Sequence, residues 1–139
     1  MLSTVRSLIV ALAISLSACS HFDRATDTDG TIYSKRAYSA GRAAARGDLA
    51  HGILAMEGCG LRRGEMIEDG DRIMRERYGI INRPIAGCIV NDQILGHLKG
   101  YNDVTRPEIL RRFGADFFDR IVNEVERRFY RKHPNAPRE

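Results

Sequence analysis

The sequence predicts a small α+β domain, rich in helix, with a sheet of two or three strands and its helices gathered toward the C-terminus. Three features point there. Residues 65–78 repeat apolar side chains at helical spacing, two short apolar runs flank them, and residues 91–131 carry further amphipathic segments. The order strand, helix, strand also admits a minimal βαβ unit. At 139 residues, 43% hydrophobic and 29% charged, the chain suits one globular domain and excludes a multidomain enzyme, a polytopic membrane protein and a wholly disordered chain.

Met1 to Ser7 carries Arg6 as its only charged side chain, and Leu8 to Leu16 (LIVALAISL) is nearly all apolar. That is the n-region and h-region order of an export signal. A spanning helix needs about 20 apolar residues. This run is nine long and is broken after Leu16, too short for a permanent anchor.

At the end of this run, Leu16-Ser17-Ala18-Cys19 resembles the lipobox of bacterial lipoprotein precursors: an aliphatic residue, two small residues and a cysteine. The resemblance covers residues 1–20 alone. It implies that the Cys19 thiol takes a diacylglyceryl group, that a signal peptidase cuts before it, and that Cys19 begins the mature chain. Two or three acyl chains, at about 0.8 kcal/mol per buried CH₂, make an essentially permanent membrane anchor. Ser20 in place of Asp implies the periplasmic face of the outer membrane in a host that has one. Residues 1–18 are then a signal peptide, 19–34 a lipidated N-terminus and flexible polar tether, 35–132 the globular domain, and 133–139 a disordered tail.

Along the mature chain, Lys35 to Asp48 places Ala37, Tyr38, Gly41, Ala44 and Ala45 at helical spacing, which predicts a small-faced helix in close contact with something. Residues 51–57 (HGILAME) read as a buried strand, although a helical continuation fits the same periodicity. In Glu65 to Tyr78, Met66, Ile67, Gly70, Ile73, Met74 and Tyr78 share a face, and Gly79 stands where a C-cap glycine belongs. Ile80 and Ile81, then Pro84 and the run Ile85 to Val90, read as the second strand, with the proline setting its entry. The two strands pair in parallel through the helical crossover, or antiparallel around a long helical excursion.

Asn91 is placed to cap a helix bearing Ile94, Leu95, Leu98 and Tyr101, with Gly96 and Gly100 on neighbouring turns where another backbone could approach. Thr105 and Glu108 have capping-box spacing, with Pro107 in the first turn, so a separate short helix is expected from Arg106 to Gly114. Gly100-Tyr101-Asn102-Asp103 then reads as the corner between them. The last helix, Ala115 to about Arg131, sets Phe118, Ile121, Val122, Val125 and Phe129 on one stripe, which should face the core.

Of the residues able to carry chemistry, Cys59 and Cys88 form an even pair in an exported chain, where an oxidising compartment favours a disulfide. That bridge would contribute roughly 3 to 4 kcal/mol. His51, His97 and His133 are scattered, and no C-x-x-C or H-x-x-x-H spacing is present, so no metal site and no cofactor is expected. The 22 cations include 19 Arg. Arg120, Arg127, Arg128 and Arg131 could offer an anionic-ligand face, although the interleaved carboxylates make i,i+4 surface pairs the default.

Two functions fit this pattern. The first is a non-enzymatic periplasmic interaction module, an envelope accessory or toxin inhibitor, whose partners are membrane lipid through Cys19 and an envelope protein, not nucleic acid. The second is a small envelope enzyme acting on peptidoglycan or a thiol substrate, with Glu57, Cys59 or His97 near the strand ends. A shared cleft for those three side chains would favour the enzyme.

Overall fold

The computed structural model describes residues 23–60 and 64–137; the expected signal peptide and Cys19 lie outside the described residues. The elements in chain order are β1 (Arg24–Thr26), β2 (Ile32–Ser34), α1 (Lys35–Ala50), β3 (Leu54–Cys59), α2 (Glu65–Tyr78), β4 (Ile80–Ala86), α3 (Asp92–Phe113) and α4 (Phe117–Lys132). The fold is α+β, with two sheets of two strands each. β3 and β4 pair in parallel, Leu54 opposite Ile80, Glu57 opposite Arg83 and Cys59 opposite Ala86, with an irregularity between Gly58 and Cys59. Strand, crossover helix and parallel strand make the βαβ unit.

Neighbouring strand residues point to opposite faces, and β3 divides the core accordingly. Leu54 joins Ile73, Ile80, Ile109, Phe117, Ile121 and Val125 in the larger cluster, under α2 and α4. Ala55 joins Ala45 and Tyr101 in the smaller one, under α1 and α3. Helix α2 has the expected bounds, and Gly79 closes it with left-handed backbone at φ 66° and its N–H donated to the Arg75 carbonyl.

The α1–α3 crossing is as close as the small residues implied. A Cβ on Gly41 would overlap the His97 carbonyl, one on Gly96 the Ser34 carbonyl, and one on Gly100 the Tyr38 carbonyl. These three glycines let two backbones touch, and so fix where His97 and Tyr101 stand.

Five sequence expectations need correction. The tether of residues 19–34 is folded from Asp23 onward: β1 and β2 form an antiparallel hairpin, Thr26 opposite Ile32, around an Asp-Gly turn in which Gly30 takes φ 86° and the Asp29 carboxylate accepts from Thr31 N–H at 2.9 Å. Ser34 then caps α1 by accepting from Ala37 N–H at 3.1 Å. Strand β4 runs Ile80–Ala86 and stops short of the expected residues 87–90, because Ile80 is the wholly buried partner of Leu54 while Ile89 is left exposed. Pro84 sits inside it, which an edge strand tolerates.

Helices expected at 91–101 and 106–114 are one 22-residue helix, α3, with Asn91 as its cap at 2.9 Å from Ile94 N. Thr105 is fully buried and its hydroxyl bonds the Tyr101 carbonyl of the preceding turn, so it caps nothing. Pro107 removes one helical N–H, but it and Asp103, whose carbonyl loses the bond, are both exposed to water. In α4 the buried residues are Phe117, Ile121 and Val125; Phe118 is half-buried beneath the Arg106 guanidinium, and Val122 is 53% exposed. The described part of the tail also has structure: His133 meets Glu65 at 2.7 Å and accepts at its carbonyl from Ala136 N–H.

Candidate functional site

A polar centre lies where β3, β4, α1 and α3 meet. Parallel pairing sets Glu57 beside Arg83, and the glycine-lined crossing brings His97 and Tyr101 over them. The Glu57 carboxylate is nearly enclosed and lies 2.9 Å from His97 Nδ1. Asn102 pairs with the Glu57 backbone as a strand would, its Oδ1 accepting from Glu57 N–H at 2.9 Å and its Nδ2 donating to the carbonyl at 2.8 Å. Beside them, Asp48 accepts from the Tyr101 hydroxyl and from Arg83 Nη1, each at 2.6 Å.

The two carboxylates are pushed in opposite directions. Burial raises the Glu57 carboxyl above its ordinary range, against the opposing pull of its hydrogen bond to His97. The Tyr101 hydroxyl and the Arg83 guanidinium hold Asp48 below its ordinary range. Burial and the hydrogen bond to Asp48 raise the Tyr101 phenol far enough to keep it protonated.

His97 remains about one-third exposed and lines an open groove of about 470 Å³ with Arg36, Ala37, Ile85 and Ile94. An imidazole whose Nδ1 is held by a carboxylate has a fixed ring orientation, with Nε2 as the nitrogen left for other work. The sequence expectation for Glu57 and His97 thus meets an actual contact. Cys59 lies two residues along β3, partly buried, and its thiol makes no hydrogen bond to His97. Cys59 and Cys88 are separate thiols in the structure. The strand ends at Ala86, opposite Cys59, so Cys88 falls beyond the ladder in an exposed turn rather than within a strand.

Sequence reasoning missed Asp48 and Arg83 as partners and read Tyr101 and Asn102 as the corner between two helices, whereas both stand within α3 and Tyr101 is completely buried. One signal was available: Asn82-Arg83 interrupts an otherwise apolar strand, and an Arg drawn partly into a packed sheet calls for an anionic partner. No group of three or more His, Cys, Asp or Glu among the described residues is arranged to hold a metal ion.

The four arginines of the expected anionic-ligand face divide into two pairs. Arg120 and Arg127 border a depression with Tyr78, whereas Arg128 and Arg131 border another with Asp69 and Arg72, both along the α2–α4 seam. The default of i,i+4 pairing describes half of them: Arg120 bonds Asp116 and the Phe113 carbonyl, and Arg128 bonds Glu124 at 2.5 Å. Arg127 and Arg131, one turn apart and exposed, have no ion-pair partner among the described residues. No protein family, curated protein or solved structure matches the chain.

Proposed function

We propose that this chain is a lipid-anchored envelope protein, held through Cys19, whose folded domain is a non-enzymatic interaction module for an acidic envelope protein. The observation carrying the partner's chemistry is Arg127 and Arg131, without an ion-pair partner among the described residues, on a seam where Asp69 is engaged by Arg72 and Arg128, Glu124 by Arg77 and Arg128, and Glu65 by Lys132. Exposed guanidinium groups without an internal partner steer and select an anionic surface at little cost in stability.

Two substitutions test the two halves. Cys19→Ala abolishes lipid labelling and the cut before residue 19; retained labelling and processing would refute the anchor. Arg127→Glu combined with Arg131→Glu abolishes capture of the envelope partner at an unchanged melting temperature, and capture at the parent level would refute the seam.

The Glu57–His97 contact favours a second reading, a small envelope enzyme acting on peptidoglycan or a thiol substrate, in which Glu57 orients His97 as a general base toward the groove. His97→Ala would then abolish turnover of a peptidoglycan or thiol substrate while leaving partner capture at the seam intact.

A further inference from the structure

We propose that the domain lies directly on the bilayer that holds Cys19, with the face formed by Asp23, the α1 N-terminus and the Gly87–Val90 loop against the lipid and Ile89 at its deepest point. This rests on the lipid-anchor reading above and adds the orientation of the domain.

The chain between the anchor and the fold is short. Asp23 is fastened at three atoms: its carbonyl accepts from Lys35 N–H at 2.5 Å, and its carboxylate accepts from the Ser34 hydroxyl at 2.6 Å and Arg36 N–H at 2.9 Å. Three residues lie between it and Cys19, and even fully extended the four steps from one to the other span only about 14 Å. A domain roughly 30 Å across cannot turn freely on so short a lead. The surface around Asp23 must stay near the headgroups.

That surface also carries exposed apolar side chains. Arg24, next to Asp23, bonds Asp92 in the first turn of α3 at 2.9 Å, and Asn91, the α3 cap, comes directly after Ile89 and Val90. Ile89 is 84% exposed, the most exposed large apolar side chain of the described residues, and Val90 is 37% exposed. The groove lined by Ala37, Ile85 and Ile94 opens between the same helix N-termini. Charge does not choose the partner here. Arg24 is balanced by Asp92 and Lys99 by Asp27, while Lys35 and Arg36 stand against Asp23, so the apolar loop is the distinguishing element.

The chain has no tryptophan, so one introduced indole reports its own position. Full-length Ile89→Trp and, as a control on α4, Val122→Trp are each produced as mature lipoprotein and reconstituted in vesicles of phosphatidylethanolamine and phosphatidylglycerol with acyl-brominated lipid. Intact mass verifies the lipid on Cys19. The expected result is strong quenching and a blue shift for Ile89→Trp, as for a ring about 5–10 Å into the interface, with neither for Val122→Trp. Lipidated protein with no quenching at position 89, or with equal quenching at both positions, overturns the orientation and leaves the anchor standing. Absence of lipid on Cys19 overturns the anchor reading and the orientation with it.

Discussion

Gly100 of α3 lies directly against the backbone carbonyl of Tyr38 in α1, so close that a methyl group at position 100 would overlap that oxygen. The neighbour is backbone within a helix and cannot swing aside as a side chain could. Gly100→Ala therefore costs about 1–3 kcal/mol or more by forcing the two helices apart. Gly47, also inside a helix, meets nothing within 4 Å of its added Cβ. Gly47→Ala gains about 0.5–1 kcal/mol through helix propensity. Urea unfolding of the pair measures both, and equal effects would refute the contact as the cause.

Tyr101→Phe removes the hydroxyl that bonds Asp48 at 2.6 Å while keeping the buried ring. A hydrogen bond to a charged group is worth about 1.5–3 kcal/mol, and this loss is expected at neutral pH. Because Asp48 is held below its ordinary value of 3.8, its stabilising contribution is present above that value and is lost as pH falls through the lower folded value. The gap between Tyr101→Phe and the parent should therefore narrow in strong acid. A gap independent of pH would show that the bond to ionised Asp48 is not what the hydroxyl contributes.

Glu57 has the opposite sign. Its carboxyl keeps a proton to higher pH in the fold than its ordinary 4.5. The associated stability is complete below that value and is lost as pH rises through the higher folded value. Glu57→Gln keeps the shape without the charge, so its stability relative to the parent should rise between acid and neutral pH. Thermal melts across that range decide the matter; a relative stability that falls instead would mean that ionised Glu57 and His97 together outweigh the burial.

Phe117 is fully buried and stacks edge-on with Tyr78 at 4.9 Å and Phe118 at 5.2 Å. Phe117→Ala costs about 3–5 kcal/mol, a drop in Tm of more than about 10 °C. Val122→Ala on the same helix should stay within about 0.5 kcal/mol, as exposed substitutions do. Comparable losses at both sites would return Val122 to the core face.

Much of the frame was legible because local chemistry and tertiary structure agree. Gly79 ends α2 where a left-handed residue is required, Asn91 begins α3, and Gly41, Gly96 and Gly100 marked a close crossing before its partner was known. Errors arose where burial overrode a local signal. Thr105 and Pro107 look like a helix start, yet the buried Thr105 bonds its own helix and water can serve the carbonyl that Pro107 leaves. The β1–β2 hairpin has no apolar alternation to announce it; the Asp29-Gly30 turn was its one signal. In α4 the expected stripe includes the buried Ile121 and Val125 but takes Phe118 where Phe117 belongs and adds the exposed Val122, since Phe117 and Phe118 are equally apolar and only the packing of Tyr78 and Phe113 against Phe117 distinguishes them. The polar centre was half visible: Glu57 and His97 attract notice as chemistry, whereas Asp48 and Asn102 are 45 or more residues from Tyr101 and Glu57, to which the fold joins them.

Helix α3 supplies Tyr101 to the cluster under α1 and, two turns later, Ile109 to the cluster under α2 and α4. Neither layer can loosen without stripping a wholly buried side chain from the same rod, about 33 Å long. The domain should accordingly unfold as one cooperative unit. The slowest amide exchange is expected along the middle of α3, with the β1–β2 hairpin opening first.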